Sequence, residues 1–463
     1  MIESTREEKK AALLVASLAS FLTPFMGSSI NVALPSIGET FNSNIIVLGW
    51  IANAYILAAA IFLIPFGRAA DILGRKKVFL SGIIIFTIAS LLCGLANSVH
   101  TLIILRVSQA IGSSMIFGTG IAILTSVFPA RERGKAIGIS IASVYTGLAA
   151  GPFAGGMLTG HLGWRSVFFS VVPLGLIAIY FTIRKLKGEW AESKGEKFDW
   201  TGSILYGISL ALIMNGFSKL PQIQGFYFLL SGIIILILFI FWELKIPFPV
   251  LELKLFKSNI TFRYSNLAAL INYSATFAIG FLLSFYLQKI RFMSAQHTGL
   301  ILVSSPVIMA VLSPFVGKLS DRVEPRFLAS LGMGLSALGL TLLCFLTSVT
   351  SILNLVIVLL ILGVGFALFS SPNTNAVMGS VEKKYLGVAS GSLGTMRLVG
   401  QMFSMGIAMM LFALYLGKVE INPSNLDSLL RSIKTAFVIF ALLCFMGIFA
   451  SLARGKVRED HRQ

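Results

Sequence analysis

Acid is scarce in this sequence. Nineteen Asp and Glu stand against 37 Lys and Arg in 463 residues, and all charged residues together make up 12%. A soluble globular chain carries about a quarter, so an ordinary cytosolic enzyme is excluded. Cysteine is also scarce: Cys93, Cys344 and Cys444 each sit inside an apolar run. An odd number in such runs gives no disulfide framework. No Walker-type phosphate loop occurs, so direct use of ATP is excluded. Apolar residues are abundant, at 56% with 37 Phe and 43 Gly, and mean hydropathy is +0.87. A net charge of +18 would point to nucleic acid in a soluble protein. In a membrane protein it reflects Lys and Arg held at the cytoplasmic face, and no nucleic-acid partner is expected.

Apolar runs separated by polar or basic punctuation give fourteen candidate spans, among them 12–34, 47–66, 136–159, 201–218, 226–242, 264–287 and 386–416. Each is near the roughly 20 residues that cross a bilayer as a helix. The first is read as an uncleaved span, because its apolar core is too long for a secretory signal. The segment 242–263, broken by prolines, reads as a surface-lying connector. With the N-terminus inside, 28 Lys and Arg fall in inner segments and 7 in outer loops, while Arg106 and Arg397 lie within spans. That bias predicts an even span count with both termini cytoplasmic, in a multi-pass plasma-membrane protein.

The chain repeats itself. Gly67 and Asp71 return as Gly317 and Asp321 at an offset of 250, with Arg322 following, and Gly134, Gly138 and Gly147 return as Gly387, Gly391 and Gly400 at an offset of 253. The expected fold is all-α: a six-span half over 1–187, an inserted pair of spans with connectors over 188–258, and a second six-span half over 259–463. Repeated halves that meet around a midplane site are a transporter architecture.

Several motifs narrow this. Gly67-Arg68-Ala69-Ala70-Asp71-Ile72-Leu73-Gly74-Arg75-Lys76-Lys77 follows the second span, and Leu105-Arg106-Val107-Ser108-Gln109-Ala110-Ile111-Gly112 lies in the fourth. The fifth carries Gly138-x8-Gly147-x3-Gly151-Pro152-x2-Gly155-Gly156. Asn31-Val32-Ala33-Leu34-Pro35 ends the first, and Phe198-Asp199-Trp200-x-Gly202 opens the seventh. Together they resemble the major facilitator superfamily, and within it the fourteen-span drug:proton antiporters. The resemblance implies a secondary transporter that is not an enzyme, needs no cofactor or metal, exports amphipathic small molecules by alternating access, and exchanges them for protons. It covers nearly the whole chain. At the position where the subfamily places an aspartate linked to proton coupling and cationic cargo, this chain has Met26.

The residues themselves suggest roles. The segment 67–77 reads as a loop at the inner face, where Gly67 and Gly74 permit tight turns. Asp71 can cap a neighbouring helix or pair with Arg75, latching the inner face together with Asp321 and Arg322. Gly147, Gly151 and Gly155 form a small-residue row suited to close helix approach, and Pro152 removes a backbone donor. Arg106 reads either as a hydrogen-bond hub with Gln109 and backbone carbonyls or as a cavity-facing charge, and Met26, Arg106, Gln109 and Arg397 are counted with the candidates for the transport path. Arg397, about eleven residues into its span and so roughly 16 Å deep, needs a cavity or an internal partner. Asn53, Tyr55, Asn272 and Tyr273 either satisfy neighbouring helices or line the path. Met402, Met405 and Met409 read as packing. No carboxylate falls at mid-span. Three routes for coupling stay open: Asp71, a titrating cargo, or none. The competing readings are a lipid or glycolipid flippase, an exporter of an anionic metabolite, and, disfavoured for want of acidic loop motifs, a polytopic membrane enzyme.

Overall fold

The computed structural model describes residues 6–191, 193–320, 322–382, 386–417 and 421–455. Among these the chain is helical with no strand. Fourteen helices are long and apolar enough to cross a membrane. They are α1 (Arg6–Phe41), α2 (Ile45–Leu73), α3 (Arg75–Gly94), α4 (Val99–Val127), α5 (Ala130–Leu162), α6 (Arg165–Lys185), α7 (Trp200–Lys219), α8 (Ile223–Glu243), α9 (Ile260–Ile290), α10 (Ala295–Ser320), α11 (Pro325–Leu343), α12 (Ile352–Gly379), α13 (Leu386–Tyr415) and α14 (Leu426–Leu452). The connector expected over 242–263 is shorter: α8 runs to Glu243 and α9 begins at Ile260, and residues 244–259 between them are turns, bends and one short helix at Lys254–Ser258.

Side-chain caps set several starts. Asn44, Ser98, Asp199 and Asn259 each accept a backbone N–H from the first turn of α2, α4, α7 and α9, satisfying donors that a helix start leaves open. The segment 67–77 was expected to be a loop with turns at two glycines. Instead α2 runs on to Leu73, and Gly74 alone breaks the chain, with φ at +115°. Gly67 is helical. Its bare backbone lets α4 approach, since a Cβ on Gly118 would sit 3.3 Å from Gly67 Cα. Hydropathy marks where the membrane ends, and a helix can continue past that point into polar sequence.

Close packing follows the glycines, and it recurs. A Cβ on Gly82 would lie 2.9 Å from the Gly112 carbonyl, joining α3 to α4. One on Gly332 would lie 2.6 Å from the Gly365 carbonyl, joining α11 to α12. Gly147 of α5 faces the Phe21 carbonyl of α1 at 2.5 Å, and Gly400 of α13 faces the Leu270 carbonyl of α9 at 2.6 Å. The α7–α8 hairpin packs on α2 and α13: Tyr206 donates to the Ala60 carbonyl at 3.2 Å, and Gly406 meets Phe217.

Candidate functional site: a central cavity with two arginines

A cavity of about 320 Å3 lies between α1, α2, α4 and α5 on one side and α9, α10, α12 and α13 on the other. Its wall is mostly apolar and aromatic, including Phe117, Phe277 and Phe366. It carries two cations, Arg106 and Arg397, and three tyrosines, Tyr55, Tyr145 and Tyr273. No Asp, Glu or His is among the lining residues.

The two arginines are held differently. Arg106 is fully buried. Its Nε donates to the Ile51 carbonyl at 3.2 Å, and one terminal nitrogen donates to Gln109 Oε1. Gln109 in turn donates to Ser90 at 2.7 Å. The guanidinium lies 4.2 Å from the Tyr55 ring centroid, and the Tyr55 hydroxyl donates to Ser113 at 2.7 Å. This is the hub the sequence suggested, extended by an aromatic face that it did not. Arg397 sits 5.1 Å from the Tyr273 ring centroid, and its buried Nε has no hydrogen-bond partner. Tyr145 of α5 lines the same cavity, and its hydroxyl lies 3.4 Å from that of Ser370.

Of the eight residues expected along the path, Tyr55, Arg106, Tyr273 and Arg397 line the cavity. Met26, Asn53, Gln109 and Asn272 lie behind its wall, each fully buried. Both amide atoms of Asn53 and of Asn272 lack partners. Met402, Met405 and Met409 are buried in the core, with Met409 against Gly49. Tyr145, Gln401 and Asn31 also line the cavity. Tyr145 was missed, although a tyrosine two residues before Gly147 was a visible signal.

The glycine motif of α5 serves two faces. Gly147, Gly151 and Gly155 lie against Phe21, Ser28 and Ser29 of α1. Pro152 and Gly156 face α10, where a Cβ on Gly156 would lie 2.6 Å from the Ala295 carbonyl and one on Gly299 would overlap the Pro152 carbonyl. Gly138, at the other end of the motif, has nothing within 4 Å of where its Cβ would be. The α5–α10 contact closes the end of the cavity away from the chain termini. There Gln288 also donates to the Val32 carbonyl at 2.9 Å, and Lys289 pairs with Glu39 at 2.7 Å.

At the terminal end, Asp71 and Arg75 pair at 2.9 Å, and Arg75 also donates to Ser126 of α4 at 2.9 Å. A partner absent from the sequence reading joins them. The 186–199 connector lies across the turn, where Arg75 N–H donates to the Trp190 carbonyl at 2.8 Å and Ser193 N–H to the Asp71 carbonyl at 3.0 Å. Glu189 accepts from Lys76 N–H at 3.0 Å and packs on Gly74, while Glu196 pairs with Arg68. Arg322 is exposed, and Asp321 lies outside the described residues.

Comparison with known proteins places this geometry. The family model described as Major Facilitator Superfamily matches residues 16–405 and 265–463. The riboflavin transporter RibZ of Clostridioides difficile is 30% identical over 448 residues, 96% of this chain and 97% of that protein. The multidrug resistance protein Stp of Mycobacterium tuberculosis is 30% identical over 394 residues, 84% of this chain and 73% of that protein. Among solved structures, an inward-facing bacterial homologue of the human lysosomal transporter Spinster superposes with a TM-score of 0.71 at 18% identity, covering 97% of this chain and 98% of that one.

Proposed function

The chain belongs to the major facilitator superfamily, and on that premise we propose that it exports flat, neutral or anionic amphipathic molecules through the central cavity. The observation that carries this is Arg397: a guanidinium on the cavity wall, stacked near Tyr273, with an unpartnered donor and no acid beside it. A planar ring can lie against the Tyr and Phe faces, while an oxygen acceptor or anionic group takes the free N–H. A cation would meet two fixed positive charges. The relatives support the class: one is named for riboflavin, a planar heteroaromatic, and another for multidrug resistance. The α5 motif shared with antiporters supports export in exchange for an ion, with the proton as that ion.

In this reading the repeated units, 1–187 and 259–463, rock about the cavity, and 188–258 rides between them. The protein sits in the plasma membrane with its termini in the cytoplasm, as the basic bias favours. The contacts of α5 with α10 then seal the outer side. Reporter fusions after Lys197 and Gln222 test the orientation. The first should read cytoplasmic and the second external, and the reverse overturns it.

The cargo class is tested by thermal unfolding of purified protein with riboflavin, a flavin phosphate and a cationic rhodamine dye. A ligand of the folded state at 100 times its Kd adds about 2.7 kcal/mol of stability. The neutral and anionic flavins should raise the unfolding temperature and the cation should not. Stabilisation by the cation alone overturns the proposal.

A further inference from the structure

The motif that opens α7 is not used by the cavity. Asp199 and Glu243 close the terminal end of the α7–α8 hairpin, and both are buried, at 5% and 2% exposure. Asp199 accepts the Gly202 N–H at 2.9 Å, and the Trp242 indole N–H donates to its two oxygens at 3.1 and 3.2 Å. Glu243 Oε2 accepts the Leu251 N–H of the connector at 2.9 Å. The other oxygen, Oε1, is buried without a donor.

That oxygen is turned toward Asp199. The two side chains are within hydrogen-bonding reach of each other, and Gly202 lies against both Asp199 Oδ2 and Glu243 Oε1. A Cβ at position 202 would overlap both oxygens, which gives the glycine of the motif a physical reason. Two carboxylates sharing one buried place repel, and a proton between them removes the repulsion. It would also give Glu243 Oε1 the partner it lacks. We infer that Asp199 and Glu243 form a proton-binding site outside the cavity, holding one shared proton that pins the 244–253 connector to the α7–α8 hairpin.

Charged neighbours do not offer another explanation. Lys197, Lys245 and Lys254 are exposed. Among the described residues, Asp199 is the charge that acts most on Glu243. When the proton leaves, two negative charges face each other, and the bonds that Glu243 makes to the connector backbone at Val250 and Leu251 can yield. Because α7 touches both α2 and α13, the site reports acidity at the terminal face to both sides of the cavity.

Infrared spectroscopy of the purified full chain across neutral pH tests this without any cargo, so its outcome is independent of the export proposal. The parent should show a protonated-carboxyl stretch that fades as pH rises. Glu243→Gln and Asp199→Asn should each lose it while keeping the fold, because either amide supplies a permanent hydrogen to its neighbour. Hydrogen exchange gives a second readout: after correction for intrinsic rates, protection of 244–253 should fall with rising pH in the parent and stay constant in both variants. A parent without the band overturns the inference. So does a band that survives in both variants, or connector protection with the same pH profile in all three proteins.

Discussion

Four glycines of the repeated motif should respond to the same substitution in opposite ways. A methyl on Gly147 would lie 2.5 Å from the Phe21 carbonyl and 3.2 Å from the Phe25 nitrogen. Both are backbone atoms, so no side chain can swing aside. Ordinary contact requires α1 to withdraw locally by about 0.9 Å, and overpacking of this kind costs about 1–3 kcal/mol. Gly400 is in the same position on α13, with the Leu270 carbonyl at 2.6 Å and the Ser274 nitrogen at 3.1 Å. Gly138 and Gly391 have nothing within 4 Å. There alanine removes a flexible residue from a helix interior and gains about 0.5–1 kcal/mol. Gly147→Ala should therefore be less stable than Gly138→Ala by about 1.5–4 kcal/mol, and Gly400→Ala less stable than Gly391→Ala by a similar amount. Equilibrium unfolding in mixed micelles ranks the four. If Gly147→Ala matches Gly138→Ala, the close approach of α1 and α5 is not what the glycine serves, and the packing argument fails. Transport reads separately: a stable Gly138→Ala that loses transport places a contact at Gly138 in another state of the cycle.

Arg397→Ala should weaken flavin binding by about 1–2 kcal/mol, roughly five- to thirtyfold, since a desolvated cation over an aromatic face is worth that much. Arg397→Lys should keep part of it, and equilibrium titration measures both. Asp71→Asn removes one partner of an ion pair whose acid side chain is 35% exposed. It should cost less than about 1 kcal/mol of stability, so a larger drop in transport than in folded protein would assign the pair to the cycle rather than to the fold. Met26→Asp would place a carboxyl where exposure is zero and the cavity does not reach. It should destabilise by about 1–3 kcal/mol or more without adding a cavity charge, and a variant as stable as the parent would contradict that placement.

The span count, the all-helical fold and the hub at Arg106 could be read from the sequence because each rests on a one-dimensional signal: apolar run length, basic punctuation, or a charge three residues from an amide on one helix. Which polar groups face the cavity could not. Residues 45–65 of α2 are apolar on every side, so periodicity does not distinguish a neighbour-facing Asn53 from a cavity-facing Tyr55 two residues later. Tyr145 of α5 and Tyr273 of α9 line one cavity with Arg397 of α13, a relation set only when the helices assemble. The loop reading of 67–77 failed for a related reason. Its polar residues signal water, and a helix in water keeps its hydrogen bonds. The docking of the connector on that turn joins segments more than a hundred residues apart, in part through backbone groups that carry no side-chain signature.

The contrast between the two arginines bears on how a carrier without a cavity acid can work. Arg106 is solvated by the protein itself, through Ile51, Gln109 and the Tyr55 face. Its charge therefore changes little in environment when cargo enters or leaves, and it acts as a fixed field. Arg397 keeps a donor unpartnered. An arginine at that depth is costly unless water or an acceptor reaches it, so its solvation depends on whether the cavity holds water or cargo. Neither guanidinium can release a proton to drive the cycle. On the proposed antiport reading, the exchanged proton must then be bound elsewhere or carried on the cargo. Among the described residues, the buried acids at the terminal end of the inserted hairpin combine burial, mutual contact and an unpartnered oxygen. If the two proposals hold together, separating the proton-binding group from the cargo-binding group would let the cavity stay positively charged and select neutral or anionic molecules throughout the cycle.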